Sequence, residues 1–313
     1  MDGNGGVFLT DNRSFKRNMV CGDWVLQREI GRGAYGVVYS ATGLHGKMAA
    51  VKCCIREELS PECYERELRG VKLYRTIPAG EGLVRLFELC ECDWGVYAAI
   101  ELADDEFDSY LGVSSEYYPK TLARVIAGEK ALTLEAVLQI GISLCAGLVT
   151  LQRHHLLHRD IKPSNVIYVH GHPVLADFGL LAEEKESPIT VGTPSYTPPE
   201  NFINASGDVY GLGLTLMVAS FGRPVEKLAM GPALEADTEN PLFPIWWRIL
   251  NKATHPDTFR RYQSAKAMLK DLRSLRRKMI LFPFIQRMPS ILLFVFGAII
   301  VFLSVIILKG LSR

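Results

Sequence analysis

The sequence predicts an α+β fold of two lobes, a small β-rich one followed by a large helical one, with one transmembrane helix near the C-terminal end. Three observations predict it. Between Trp24 and Leu102, short runs rich in β-branched and aromatic residues alternate with Gly and Asp turns. From Thr133 to Arg153, apolar Val137, Ile140, Leu144, Leu148 and Leu151 recur at helical spacing. Ile291 to Leu308 is a run of eighteen uncharged, almost wholly apolar residues. As a helix it would extend about 27 Å, close to the roughly 30 Å hydrocarbon core of a bilayer.

Composition narrows the function classes. With 48% hydrophobic and 22% charged residues in 313, the chain suits one large or two modest domains and is not disordered. Formal charge is +1, and the last 23 residues hold Lys309, Arg313 and no acid, leaving −1 for the rest. Such a balance carries no global nucleic-acid footprint. The seven cysteines, an odd number without a paired CxxC framework, read as reduced core thiols. Cys90 and Cys92 would point to one face of a strand, with no second cysteine pair or histidine cluster to make a metal site.

Residues 1–21, rich in Gly and Asn, read as a flexible leader, and 22–102 as the first lobe. Trp24-Val25-Leu26 begins a strand running into Gly31-Arg32-Gly33-Ala34-Tyr35-Gly36, where glycines let the backbone approach a triphosphate and donate N–H groups. A dinucleotide fingerprint would open a helix at this point, whereas Val37-Val38-Tyr39 continues as a second strand. A third ends at Ala50-Val51-Lys52. Pro61–Tyr74 reads as a helix with Ser60 as N-cap. It offers Glu65 and Glu67 as partners for a basic group, and Glu67 is preferred because Leu68 and Val71 give it an inward-facing neighbourhood. Leu83–Glu91 and Gly95–Leu102, joined by a turn at Asp93-Trp94-Gly95, bring the lobe to five strands. A polar, acidic insertion, Asp104–Pro119, follows.

The chemistry centres on His158-Arg159-Asp160-Ile161-Lys162-Pro163-Ser164-Asn165, followed twelve residues later by Asp177-Phe178-Gly179. It reads as a phosphoryl-transfer centre. Asp160 can accept a hydrogen bond from an incoming hydroxyl and take its proton late, Lys162 can neutralise the moving phosphoryl group, and Asn165 and Asp177 offer hard oxygen ligands. Strands at Val166–Val169 and Val174–Ala176 around Gly171-His172-Pro173 would bring Asn165 and Asp177 to one end of a hairpin. His154 and His155, at a helix end without a partner cluster, read as structural.

In order and spacing, these two motifs resemble the catalytic and magnesium loops of the eukaryotic-like, Hanks-type serine/threonine protein kinase family. The resemblance covers about residues 24–275, and it implies the bilobal kinase fold. Gly31, Gly33, Gly36, Val38 and Ala50 would then surround ATP, with Lys52, paired to Glu67, on the α- and β-phosphates. Ile100 would be the gatekeeper, and backbone from Glu101 to Ala103 would meet the adenine. Asn165 and Asp177 would hold Mg²⁺, with Mn²⁺ as an alternative.

The resemblance extends through Gly192-Thr193-Pro194-Ser195-Tyr196-Thr197-Pro198-Pro199-Glu200, a short activation segment with Pro-Pro-Glu in place of the usual Ala-Pro-Glu. In the family, Thr193 together with Lys162 accompanies serine/threonine specificity. Glu200 would pair with a buried arginine, for which Arg261 is the best candidate, and Asp208 would brace the catalytic loop. Arg159 implies a basic pocket for a phosphorylated threonine, Thr190 first, with Ser187 and Thr193 as lesser candidates. Small-molecule kinases lack the 192–200 segment, and a pseudokinase would have lost catalytic residues that are all present here. Phe221–Pro244 matches the family poorly.

The second lobe spans 103–278, followed by a juxtamembrane stretch over 279–290, the transmembrane helix over 291–308 and a short tail over 309–313. Arg273, Arg276, Arg277, Lys278 and Arg287 precede the apolar run and only Lys309 and Arg313 follow it, so the positive-inside rule puts the kinase domain in the cytoplasm. Resemblance to compact bacterial members implies a bacterial inner membrane. With five residues after Leu308 there is no room for an extracytoplasmic sensor. The expected partners are proteins carrying serine or threonine and membrane lipid, with a homodimer left open and nucleic acid excluded.

Overall fold

The computed structural model describes residues 19–107, 117–129, 131–185, 192–200, 204–230 and 239–282. The first lobe is an antiparallel sheet of β1 (Val20–Cys21), β2 (Trp24–Gly33), β3 (Gly36–Thr42), β4 (Met48–Ile55), β5 (Leu86–Cys92) and β6 (Gly95–Ile100), in the order β1-β2-β3-β4-β6-β5. Alternation drives it: Trp24, Leu26, Val37, Tyr39, Val51 and Cys53 turn one face into a buried cluster. Helix α1 (Pro61–Arg75) packs beside the sheet, capped by the Ser60 hydroxyl, which accepts the Cys63 N–H at 3.3 Å. Such a cap contributes about 1 kcal/mol.

Two sequence expectations are corrected here. The sheet has a sixth strand, because buried Cys21 and a 2.8 Å bond from Leu26 N–H to the Met19 carbonyl draw residues 19–21 onto β2, so the leader ends before them. The strand expected over Leu83–Glu91 starts only at Leu86. Residues 82–84 instead hydrogen-bond β9 (His172–Leu175) of the second lobe, through Val84 N–H to the Leu175 carbonyl and Leu175 N–H to the Gly82 carbonyl. Backbone donors that find partners across the lobes leave the sheet.

The second lobe is built on α2 (Leu122–Glu129), α3 (Leu134–Arg153), α4 (Ala205–Phe221), α5 (Phe243–Ala253) and α6 (265–282). Val137, Ile140, Leu144, Leu148 and Leu151 of α3 are all buried, and α4 is buried on nearly every side. Among the described residues only α3 is long and apolar enough to cross a membrane, and 72% of that stretch lies inside the protein, as a core helix does. The apolar run at 291–308 lies outside the described residues. Short strands β7 (Leu156–Leu157) and β10 (Ala182–Glu183) pair, and β8 (Val166–Val169) forms a hairpin with β9 (His172–Leu175). The insertion is tied at its start: the Asp104 carboxylate accepts the N–H groups of His170 and Gly171 at the β8–β9 turn.

Candidate active site

Lys52 lies in β4, opposite Val38 of β3, and its Nζ is shared between two carboxylates, Glu67 Oε2 at 2.8 Å and Asp177 Oδ1 at 2.7 Å. Of the two glutamates considered, Glu67 faces inward with its side chain 1% exposed and Glu65 faces solvent. Helix α1 comes this close because Gly179 has no side chain: a Cβ there would sit 2.0 Å from Glu67 Oε1. Gly70 similarly abuts the Phe178 carbonyl. Phe178 stacks on Tyr74 and meets His158 edge-on, which seats the Asp177 loop against α1.

The two carboxylates around this one ammonium do not titrate alike. Burial alone would depress the Lys52 ammonium, but the charges of Asp177 and Glu67 outweigh it and raise it above its ordinary value. Burial likewise pushes Asp177 up, yet Lys52 holds its carboxyl below the usual range, with about 40% of that side chain facing the cleft. At Glu67 burial wins over Lys52 and the carboxyl is raised. Its Oε1 is buried without a hydrogen-bond partner among the described residues.

The loop from β7 to β8 carries the other groups. Asp160, 7% exposed, accepts from Asn165 Nδ2 and from Lys162 Nζ on Oδ2, each at 2.8 Å, and from the Thr193 hydroxyl and N–H on Oδ1 at 2.8 and 3.1 Å. Lys162 Nζ also donates to Thr193 Oγ1 at 2.7 Å. Arg159 and Asp177 are both left-handed, at φ 69° and 62°. A non-glycine residue persists there only when its surroundings hold it. For Arg159 the hold comes from buried Asp208, in the first turn of α4, which accepts the N–H groups of His158 and Arg159 at 2.8 and 2.9 Å.

The other residues expected near a nucleotide lie on β2, β3, β4 and the segment after β6. Gly33 and Gly36 close the β2–β3 turn, with Gly31 opposite Val38. Gly36, at φ 155°, could not carry a Cβ, which would lie 2.5 Å from the Cys53 carbonyl, while a Cβ on Gly33 would meet nothing within 4 Å. Ala50 pairs with Ile100 across β4 and β6. Glu101 N–H donates to the Arg85 carbonyl at 3.0 Å, and the Ala103 carbonyl accepts from the Tyr117 hydroxyl at 2.9 Å.

Farther out, Arg261, 2% exposed, grips Glu200 through two bonds of 2.8 and 3.1 Å. Thr190 and Ser187 lie outside the described residues. Cys90 and Cys92 do share a face of β5, with sulfurs 3.8 Å apart. Among the described residues no group of three or more His, Cys, Asp or Glu could cage a metal. Sequence reasoning missed Tyr74 and Arg66. Glu67, Gly70 and Tyr74 fall at i, i+3 and i+7 of α1, a spacing that signals one face turned to the Asp177 loop.

With an ammonium shared by two carboxylates, a partly buried Asp-Lys-Thr-Asn network and an Asp-Phe-Gly loop, comparison with known proteins is decisive. Residues 24–279 match the protein kinase domain. The chain belongs to the protein kinase family. Similar kinases include the serine/threonine-protein kinase AfsK of Streptomyces griseus, 29% identical over 72% of this chain and 29% of that protein. PknK of Mycobacterium tuberculosis, also a serine/threonine-protein kinase, is 29% identical over 65% of this chain and 18% of its own length. PknD of Chlamydia muridarum, of the same description, is 28% identical over 79% and 31%. The chain spans less than a third of each of these relatives. Protein kinases use ATP and a divalent metal. The donor set here fits such an ion: Asn165 commits Nδ2 to Asp160 and keeps Oδ1, Asp177 stays anionic beside Lys52, and hard cations of this kind take one or two protein oxygens plus substrate phosphates.

Proposed function

We propose that this protein is a serine/threonine protein kinase that transfers the γ-phosphoryl group of Mg-ATP to proteins and is anchored to a membrane through residues 291–308. The observation that carries the transfer reading is the Asp160 carboxylate, held by Asn165, Lys162 and Thr193 with both oxygens occupied by donors. Asp160 would orient the incoming hydroxyl and accept its proton, Lys162 would offset charge on the moving group, and Lys52 would clamp the α- and β-phosphates. Asn165 and Asp177 would hold Mg²⁺, which supplies charge neutralisation at the phosphates. The adenine would meet backbone from Glu101 to Ala103. Serine/threonine specificity is supported by Thr193 bridging Asp160 and Lys162, and by the names of the relatives.

Autophosphorylation of the activation segment, at Thr190 first, is supported by Arg159 and Arg66, whose buried Nε atoms have no hydrogen-bond partner among the described residues. Burial, with Arg69 and Arg66 nearby, lowers the Arg159 guanidinium, so a phosphate would relieve a crowded basic pocket. Anchoring is supported by the eighteen-residue apolar run and by the basic residues before it, and by the positive-inside rule the kinase domain would then face the cytoplasm.

The test is transfer of labelled γ-phosphate by the full chain in vesicles, onto itself and a basic protein, beside Asp160→Asn. Label on serine or threonine in the unmutated protein alone supports the reading, with phosphopeptide mapping locating it. Nucleotide binding without label would turn the reading to a pseudokinase.

A further inference from the structure

Helix α6 carries many more cations than acids. Over 264–282 the sequence has Lys266, Lys270, Arg273, Arg276, Arg277 and Lys278 against one acid, Asp271, which accepts the Tyr262 hydroxyl at 2.7 Å. Lys266, Lys270, Arg273 and Arg277 recur at i, i+4, i+7 and i+11, which sets them along one face of the helix. All six cations are exposed, and among the described residues none joins an ion pair. The opposite face is locked: Ala265, Met268, Leu272 and Leu275 are each 0% exposed within the core of the helical lobe. The stripe therefore cannot roll inward.

Two apolar side chains follow it. Ile280 is 59% and Leu281 54% exposed, one residue beyond the last cation, Lys278. Eight residues, 283–290, lie between Phe282 and the apolar run beginning at Ile291. Even fully extended at about 3.5 Å per residue, they reach roughly 30 Å. If that run sits in a bilayer, the stripe is held close to the bilayer surface.

We propose that this face of α6 docks on the anionic surface of the membrane holding residues 291–308, with Lys266, Lys270, Arg273 and Arg277 on lipid phosphates and Ile280 and Leu281 at the acyl boundary. The proposal rests on the anchoring reading for its tether. Cations next to exposed apolar residues, on the helix that leads to the apolar run, fit an anionic bilayer better than a soluble acidic partner, which would need no apolar end. Docking would also orient the catalytic lobe, because Leu272 of α6 packs near Gly141 of α3, the helix that leads to the Asp160 loop.

The experiment places the full chain in vesicles of phosphatidylcholine alone or with phosphatidylglycerol. It follows acylation of individual lysines by a water-soluble amine reagent, with exposed Lys47 as reference. Docking predicts that Lys266 and Lys270 react at least about fivefold more slowly on the anionic vesicles, that high salt removes the difference, and that Lys47 is unchanged. Equal rates on both vesicles overturn it. So does protection by a soluble acidic polypeptide on neutral vesicles with none from phosphatidylglycerol, which would indicate a protein partner. Flotation reads the anchor separately. A chain that floats with neutral vesicles but gains no protection keeps its anchor and loses the docking face. One that floats and is protected only with anionic vesicles keeps the face and loses the anchor. The variant K266Q/K270Q/R273Q/R277Q, altered only at exposed positions, should keep its activity and Tm while losing salt-sensitive protection at Lys278.

Discussion

Asp208 accepts the backbone N–H of Arg159 at 2.9 Å and holds that arginine in the left-handed region, at φ 69°. The bond runs from the first turn of α4 to the loop bearing Asp160, so a buried carboxylate sets the backbone of that loop. Burial raises the Asp208 carboxyl against the pull of His158 and the two N–H donors. Asp208→Asn keeps an acceptor for one N–H and turns a donor toward the other, leaving it unsatisfied at a cost of about 1–3 kcal/mol. Expected are a lower Tm by thermal melting and at least a tenfold loss of kcat.

Gly179→Ala tests the approach of α1. A Cβ 2.0 Å from Glu67 Oε1 must displace that flexible carboxylate, which separates it from Lys52. Phosphoryl transfer should fall at least tenfold and Tm should fall as well, because a buried carboxylate parted from its ammonium is left uncompensated. An unchanged kcat would show that the Lys52–Glu67 contact is dispensable.

Lys52→Met removes the cation shared by Glu67 and Asp177. Transfer should fall on the order of a hundredfold or more, as when a preorganised charge is deleted from a transition-state site. Nucleotide affinity, measured by calorimetry, should fall much less.

Thr193→Ala deletes a hydroxyl that donates to Asp160 and accepts from Lys162. A loss of kcat between roughly tenfold and a hundredfold is expected, with Thr193→Ser restoring most of it. Failure of serine to rescue would mean that the methyl group matters more than the hydroxyl.

The Glu200–Arg261 pair predicts an acid limb in stability. Burial works to raise the Glu200 carboxyl, but the bonds from Arg261 hold it below its ordinary 4.5. A folded-state value below the unfolded one gives stability that is complete above about pH 4.5 and is lost as pH falls through the folded value. Melting across that range should show the limb, and Glu200→Gln should flatten it. Glu200→Ala, which strands the Arg261 guanidinium with its side chain 0% exposed, should cost about 3 kcal/mol at neutral pH.

Much of this site was legible because its parts are short, ordered motifs. His158 to Asn165 and Asp177 to Gly179 announce phosphoryl transfer by residue type and spacing, and periodicity located α1 and α3 to within a residue or two. Tyr74 under Phe178 and the basic neighbours of Arg159 were not legible, because helix spacing gives a face without saying what that face meets.

By itself the sequence determined five of the six strands of the first lobe, helices α1 and α3, the chemical groups and the apolar run near the end, since these depend on local pattern and composition. Only the tertiary structure decided that Glu67 and not Glu65 meets Lys52, that residues 82–84 leave the sheet for β9, and that the α6 cations face outward. Each depends on contacts between segments far apart in the chain, where burial of one face selects among arrangements that local preferences leave nearly equal in energy.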